Sequence, residues 1–136
     1  MNNRVVVTLL AVLLCASCAK KDDKCINKSF VVTATAYNSL AYQTSSNPNI
    51  TAFGDSLRPG LNYIAVSRDL LDSGLVHNTK VKIEGFENDF IVKDKMNRRW
   101  RKRIDIYMGV DVKKAKEWGK KKVNIKYCIP TKDSLP

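Results

Sequence analysis

Two aspartates stand where the surrounding residues give a carboxylate something to do. Asp94 closes the run Phe90-Ile91-Val92-Lys93-Asp94, in which Phe90, Val92 and Asp94 share one side of a strand. Its carboxyl thus ends an otherwise apolar row, where desolvation raises a pKa. Eleven residues on, Arg103-Ile104-Asp105-Ile106-Tyr107 alternates again, with Ile104, Ile106 and Met108 facing one way and Arg103, Asp105 and Tyr107 the other. A base, an acid and a phenol on one face are groups that move protons and orient a substrate. Between the two aspartates runs Lys95-Met96-Asn97-Arg98-Arg99-Trp100-Arg101-Lys102. This segment reads as a solvated basic loop or as a contact for an anionic glycan. In the second case Trp100 stacks on a sugar face, and the planar forks of Arg99 and Arg101 meet carboxylates.

Metal chemistry is not expected. The only histidine, His77, sits in the polar stretch His77-Asn78-Thr79 and reads as a surface loop residue. Apart from Cys15-Ala16-Ser17-Cys18, which ends the N-terminal apolar run, no Cys-x-x-Cys pair accompanies it, so neither a metal nor another cofactor is implied. The four cysteines divide by position instead. Arg4 precedes the apolar run Val5 to Leu14, which ends at Cys15-Ala16-Ser17-Cys18. That is signal-peptide architecture, and the charges from Lys20 onward stop the run well short of the ~20 residues a spanning helix needs. The small residues before Cys18 resemble the lipobox of bacterial lipoproteins, with Cys15 where leucine is usual. The resemblance implies acylation of Cys18 and anchoring in the bacterial envelope, on the periplasmic or surface face of an outer membrane, with Lys20 to Lys24 as a tether. Cys25 and Cys128 remain, and outside the cytoplasm they point to one bridge or, in the other reading, to two separate thiols.

The elements that must position these groups are short. Phe30 to Tyr37 is rich in β-branched and aromatic residues and reads as a strand, and Asn38 to Gly60 is a long irregular excursion of the kind that carries function. Tyr63 to Val66 is a short buried strand, followed by one helical turn capped by Ser67 and ended by Gly74. Lys80 to Glu84 and Phe90 to Asp94 form a hairpin, and Arg103 to Met108 is a further strand. Asp111 caps a helix over Val112 to Trp118, and Val123, Ile125, Tyr127 and Ile129 alternate in the last strand. About six strands and one or two short helices predict a mainly β chain closed into a small barrel. The expected organisation is a signal peptide over 1–17, a lipidated linker over 18–29, the barrel over 30–129 and a tail over 130–136.

The chain is 44% hydrophobic and 27% charged, which is enough apolar content to fold, and it carries a formal net charge of +11. Such a field attracts polyanions. Export makes those partners anionic wall polymers and lipid headgroups rather than nucleic acid.

Read in order, Thr33-Ala34-Thr35-Ala36-Tyr37, then Gly60 with Ile64-Ala65-Val66, then Asp94 and Arg103-Ile104-Asp105-Ile106-Tyr107 resemble the 3D domain, named for three aspartates. That domain occurs in cell-wall proteins and in the catalytic part of membrane-bound lytic transglycosylase A. Trp118-Gly119 continues the likeness, which spans roughly Val32 to Tyr127. The resemblance implies a six-stranded double-psi β-barrel that binds peptidoglycan as a monomer and cleaves the MurNAc-GlcNAc β-1,4 bond with a 1,6-anhydro product. It makes Asp105 the acid/base and Asp94 its partner, with Thr35, Tyr37, Arg103 and Tyr107 beside the sugar. Two departures stand out. Ser67 occupies the place of the first aspartate, with Asp69 two residues on, and the basic run at 95–102 replaces a glycine-rich segment. The alternative reading is therefore a lipoprotein that grips peptidoglycan or another anionic glycan without cutting it.

Overall fold

The computed structural model describes residues 25–42 and 47–131, so the expected signal peptide, the expected lipidation site Cys18 and the end of the tail lie outside the described residues. In chain order it comprises β1 (Cys25–Tyr37), β2 (Tyr63–Val66), α1 (Arg68–Asp72), β3 (Lys80–Ile83), β4 (Phe90–Lys95), β5 (Arg103–Tyr107), α2 (Val112–Trp118) and β6 (Lys121–Pro130). The strands close into a six-stranded barrel in the order β1-β5-β2-β4-β3-β6. β1 with β5 and β2 with β4 are parallel, and the other neighbours are antiparallel. The expected class is observed: mainly β, a small closed barrel of six mixed parallel and antiparallel strands with two short helices.

Alternation builds the core. Val32 and Ala34, Ile64 and Val66, Val81 and Ile83, Phe90 and Val92, Ile104 and Ile106, and Val123, Ile125 and Tyr127 point inward from the strands, with Leu70 and Leu75 joining them. Closure leaves no central edge for another chain to pair with. β1 starts five residues before the apolar signal at Phe30. Its polar beginning pairs with β6 from Cys25↔Pro130 onward, and the Cys25–Cys128 disulfide fastens that end. The bridge closes a loop of 103 residues, a constraint nominally worth about 4–5 kcal/mol in the chain-entropy description.

Two local expectations are corrected. The Ser67 hydroxyl makes no cap to α1; it accepts the Arg103 N–H at 3.0 Å instead. Asp69 accepts the N–H of Lys102 at 2.9 Å, so the two side chains together fix the approach to β5. The second correction concerns Asp94. Ile64 pairs with Val92, but the next residue, Ala65, pairs with Asp94, so Lys93 is an extra residue bulged out of β4. A one-residue shift exchanges the faces of a strand. Asp94 accordingly leaves the inward row of Phe90 and Val92 and lies outside the barrel.

Candidate functional site

The bulge brings the two aspartates together. Ala65 is the register partner of Asp94 on one side and of Asp105 on the other, and Asp105 in turn faces Thr35. The outer surface thus carries the row Asp94–Ala65–Asp105–Thr35 across β4, β2, β5 and β1. At a strand spacing of about 4.8 Å the two aspartate backbones are about 10 Å apart, and only a methyl group lies between them. Asp94 and Asp105 line one cavity of about 200 Å³ together with Tyr37, Ala65, Lys95, Met96, Asn97 and Trp100.

The environments of the two carboxyls differ. Burial pushes Asp105 up to about 6, against the Thr35 hydrogen bond and the Arg103 charge, which pull it down; the charge of Asp94 adds a smaller upward push. The like-charge effect of Asp94 is therefore secondary to desolvation. Arg103 Nε donates to Thr35 Oγ1 at 3.3 Å, and that hydroxyl donates to Asp105 Oδ1 at 2.9 Å. Oδ1 is thereby engaged, which leaves Oδ2 to carry a proton. Asp94 is also raised by burial, although the backbone N–H groups of Ala52 and Lys95 each donate to its Oδ1 at 2.8 Å and oppose the shift.

The Ala52 N–H belongs to the excursion after β1, whose stretch from Asn49 to Leu57 is internally tied. Thr51 accepts the Asp55 N–H through its side chain at 3.0 Å, and the Leu57 N–H reaches the Asn49 carbonyl at 2.8 Å. Asp55 fastens this flap to the barrel. Its carboxylate meets Lys93 Nζ at 2.8 Å and also His77 Nε2, and Phe53 stacks on the His77 ring. His77 is therefore a flap contact and not a free loop residue. The bulged Lys93 serves the same contact. A second, larger cavity of about 690 Å³ lies between flap and barrel, lined among others by Tyr37, Thr51, Ala52, Arg68, Asp94 and Asn97.

The remaining sequence-predicted residues separate. Thr35, Tyr37 and Arg103 gather with the aspartates, and Trp100 lines the smaller cavity with Arg103 stacked 3.8 Å over its ring. Arg99 stacks on the same ring at 4.8 Å but stays exposed, and Arg101 is exposed and lines neither cavity. Tyr107 does not reach Asp105. It is 4% exposed, its hydroxyl bonds to Ser39 Oγ at 2.9 Å, and its ring tilts against Tyr37, so it supports Tyr37 from behind. Cys25 and Cys128 are bridged. Ala65, Ala52 and Arg68 were not identified as site residues by sequence reasoning. Register and the fold of the flap place them, and neither is written in a local motif. Among the described residues, no group of three or more His, Cys, Asp or Glu side chains is arranged to hold a metal.

No protein-family model and no curated protein sequence matches the chain. Among solved structures, an apo expansin of Clavibacter michiganensis aligns with a TM-score of 0.46 at 16% identity over 80% of this chain and 53% of its own. A mutant C. michiganensis expansin in complex with cellohexaose aligns at 0.45 and 14% identity, with the same 80% and 53% coverage. The chain spans about half the length of these expansins.

Proposed function

We propose that the groove binds a peptidoglycan strand and that Asp105 cleaves its MurNAc-GlcNAc β-1,4 bond as a lytic transglycosylase does. The observation that carries this reading is the pairing of Asp94 and Asp105 across Ala65 in one cavity, with the Asp105 carboxyl at about 6. An acid in that range is protonated often enough near neutral pH to donate and basic enough afterwards to accept.

In this reaction the Asp105 proton passes to the glycosidic oxygen as the C1–O bond breaks. The Asp105 carboxylate then takes the proton of the muramyl 6-hydroxyl while that oxygen bonds to C1. The enzyme returns protonated, and no water is consumed. The intramolecular hydroxyl replaces the activated water that a hydrolase must hold with a second carboxylate. Asp94, whose two amide donors favour its charged form against the upward push of burial, offers negative charge to the oxocarbenium-like transition state when ionised. Arg103 and Thr35 keep Asp105 oriented. Export and a lipid anchor at Cys18, in the envelope of a bacterium, belong to the same proposal, because they bring the chain to its substrate.

A second reading, a glycan-binding lipoprotein without cleavage, draws on the loop after Asp94. Met96 is buried there, and the guanidinium groups of Arg99 and Arg103 lie 4.8 Å and 3.8 Å from the centre of the Trp100 ring, where the resembled domain has glycines. Such a loop offers a stacking platform in place of a close backbone approach. Incubating the full chain with purified sacculi and mass-analysing the soluble products separates the two. The enzyme reading expects 1,6-anhydromuramyl products whose rate falls about tenfold per pH unit above pH 6, the slope of a single required proton, and their loss in Asp105→Asn with retention on sacculi intact. Retention by the unmodified chain without such products at any pH between about 4 and 8, the span over which such an acid titrates, leaves the binder. Undiminished cleavage by Asp105→Asn refutes the assignment of the acid.

A further inference from the structure

Buried polar atoms in a folded protein are nearly always hydrogen-bonded, so the exceptions ask for an explanation. Four side-chain atoms are buried and unpartnered among the described residues: the Tyr37 hydroxyl oxygen, Arg68 Nε, Asp69 Oδ1 and Trp118 Nε1. Two of the four, from Tyr37 and Arg68, belong to residues that line the same 690 Å³ cavity beside Asp94. They come from distant parts of the chain, the end of β1 and the start of α1, and both are hydrogen-bond donors.

Arg68 makes no ion pair among the described residues, although the carboxylates of Asp55, Asp89 and Glu117 all have cationic partners. The other charges in the cavity are already engaged. The Lys95 ammonium lies 5.1 Å over the Phe53 ring, and Asp94 Oδ1 is held by two backbone amides. A partly buried guanidinium without a counter-ion among the described residues, lining the same cavity as a hydroxyl without an acceptor, is complementary to a planar anion with several acceptor oxygens. Burial, and the negative charges of Asp94 and Asp105 after it, hold the Tyr37 phenol in its protonated, donating form.

We propose that Tyr37 and Arg68 form a carboxylate subsite of the groove, so that the chain selects an acidic glycan over a neutral one through this pair. The exposed arginines at 98, 99 and 101 take no part in that selection. The proposal rests on the glycan reading above and adds to it where the charge of the sugar chain is read: one cavity beyond Asp105, on the flap side of Asp94. A substrate carboxylate seated there lies within the field of Asp94, which opposes it. Arg68 must outweigh that repulsion, and selection therefore depends on this one cation.

The test uses the full chain carrying Asp105→Asn, so that the probe is not consumed. Calorimetry compares a soluble muramyl oligosaccharide bearing free lactyl carboxylates with the same oligosaccharide after conversion of those carboxylates to methylamides. The acidic form is expected to bind about 10- to 100-fold more tightly, the range of a charge-assisted hydrogen bond. Arg68→Gln should abolish that ratio and Arg68→Lys should keep part of it. Tyr37→Phe should weaken acidic binding while leaving thermal stability equal or higher, because it removes a buried group that has no partner. Equal binding of both forms by the unmutated subsite overturns the proposal without any variant, as does an unchanged ratio in a folded Arg68→Gln protein. Failure to bind either form is a different outcome, and it sinks the glycan reading itself together with the subsite.

Discussion

Replacing Asp105 by asparagine tests the electrostatics of the groove before any glycan is added. The folded carboxyl titrates at about 6, against 3.8 for an ordinary aspartate, chiefly because it is desolvated. At about 1.4 kcal/mol per pH unit, ionised Asp105 costs the folded state about 3 kcal/mol. The sign follows from proton counting. Below pH 3.8 the side chain is protonated in both states and costs nothing. Between 3.8 and about 6 the unfolded chain ionises while the folded one does not, so stability falls as pH rises, and above that range the loss is complete. The asparagine side chain stays neutral throughout and still offers Thr35 an acceptor. Urea unfolding of both proteins, disulfide intact, at steps from about pH 3 to pH 8 should show nearly equal stability at the acid end. By about pH 7.5 the variant should be ahead by up to about 3 kcal/mol, with the change centred between 3.8 and about 6. The Tyr37 phenol, which the Asp105 charge also raises, titrates above this pH range, and the other groups cancel in the difference. A pH-independent difference, or a variant that is the less stable protein at the alkaline end, refutes burial as the origin of the raised acid. The same titration should govern the cleavage rate, so stability and activity are tied to one number measured in two ways.

One further substitution and one deletion probe the geometry. Ala65→Leu places a branched side chain between Asp94 and Asp105 in the 200 Å³ cavity; Ala65 faces outward but is only 5% exposed, so the barrel should still fold at a cost of about 1–3 kcal/mol while retention on sacculi and anhydro-product formation both fall at least tenfold, and a fully active Ala65→Leu protein would place the sugar elsewhere. Deleting Lys93 removes the bulged residue and leaves Asp94 on the outer face of a now regular strand, so the barrel should still unfold cooperatively at a cost of about 1–3 kcal/mol for the lost Asp55 contact; a molten or aggregated product would mean that the bulge has a further role in closing the barrel.

How much of this was legible depends on whether the physics is local. β6 could be read directly, because Val123, Ile125 and Tyr127 alternate without interruption and all three are buried. The cap of α2 was equally plain: Asp111 accepts the Lys114 N–H at 2.9 Å, as its position before a short helix requires. Residues 25–29 gave no strand signal, since Cys-Ile-Asn-Lys-Ser has no apolar row, and only pairing with β6 and the disulfide make them β. The role of Ser67 was hidden for a related reason. A serine before a helix reads as a cap, whereas its hydroxyl here serves a strand 36 residues away.

Asp94 is the instructive case. Alternation assigns it to the inward row with Phe90 and Val92, and over those residues alone the assignment is sound. What overturns it is a register step that exists only because β4 must pair with β2 while β2 pairs with β5. No window of β4 contains that constraint. The bulge residue nevertheless has two uses that a regular strand could not provide together. It turns an aspartate out beside Asp105, and it presents Lys93 to the Asp55 carboxylate that holds the flap over the same aspartate. A buried-row aspartate would have been a destabilising charge in the core, and an unbulged outward one would have lacked the flap above it. The break in strand periodicity and the candidate site therefore share one cause, the pairing demands of a closed barrel. That coincidence is why the place where sequence periodicity misleads is also the place where the chemistry is proposed.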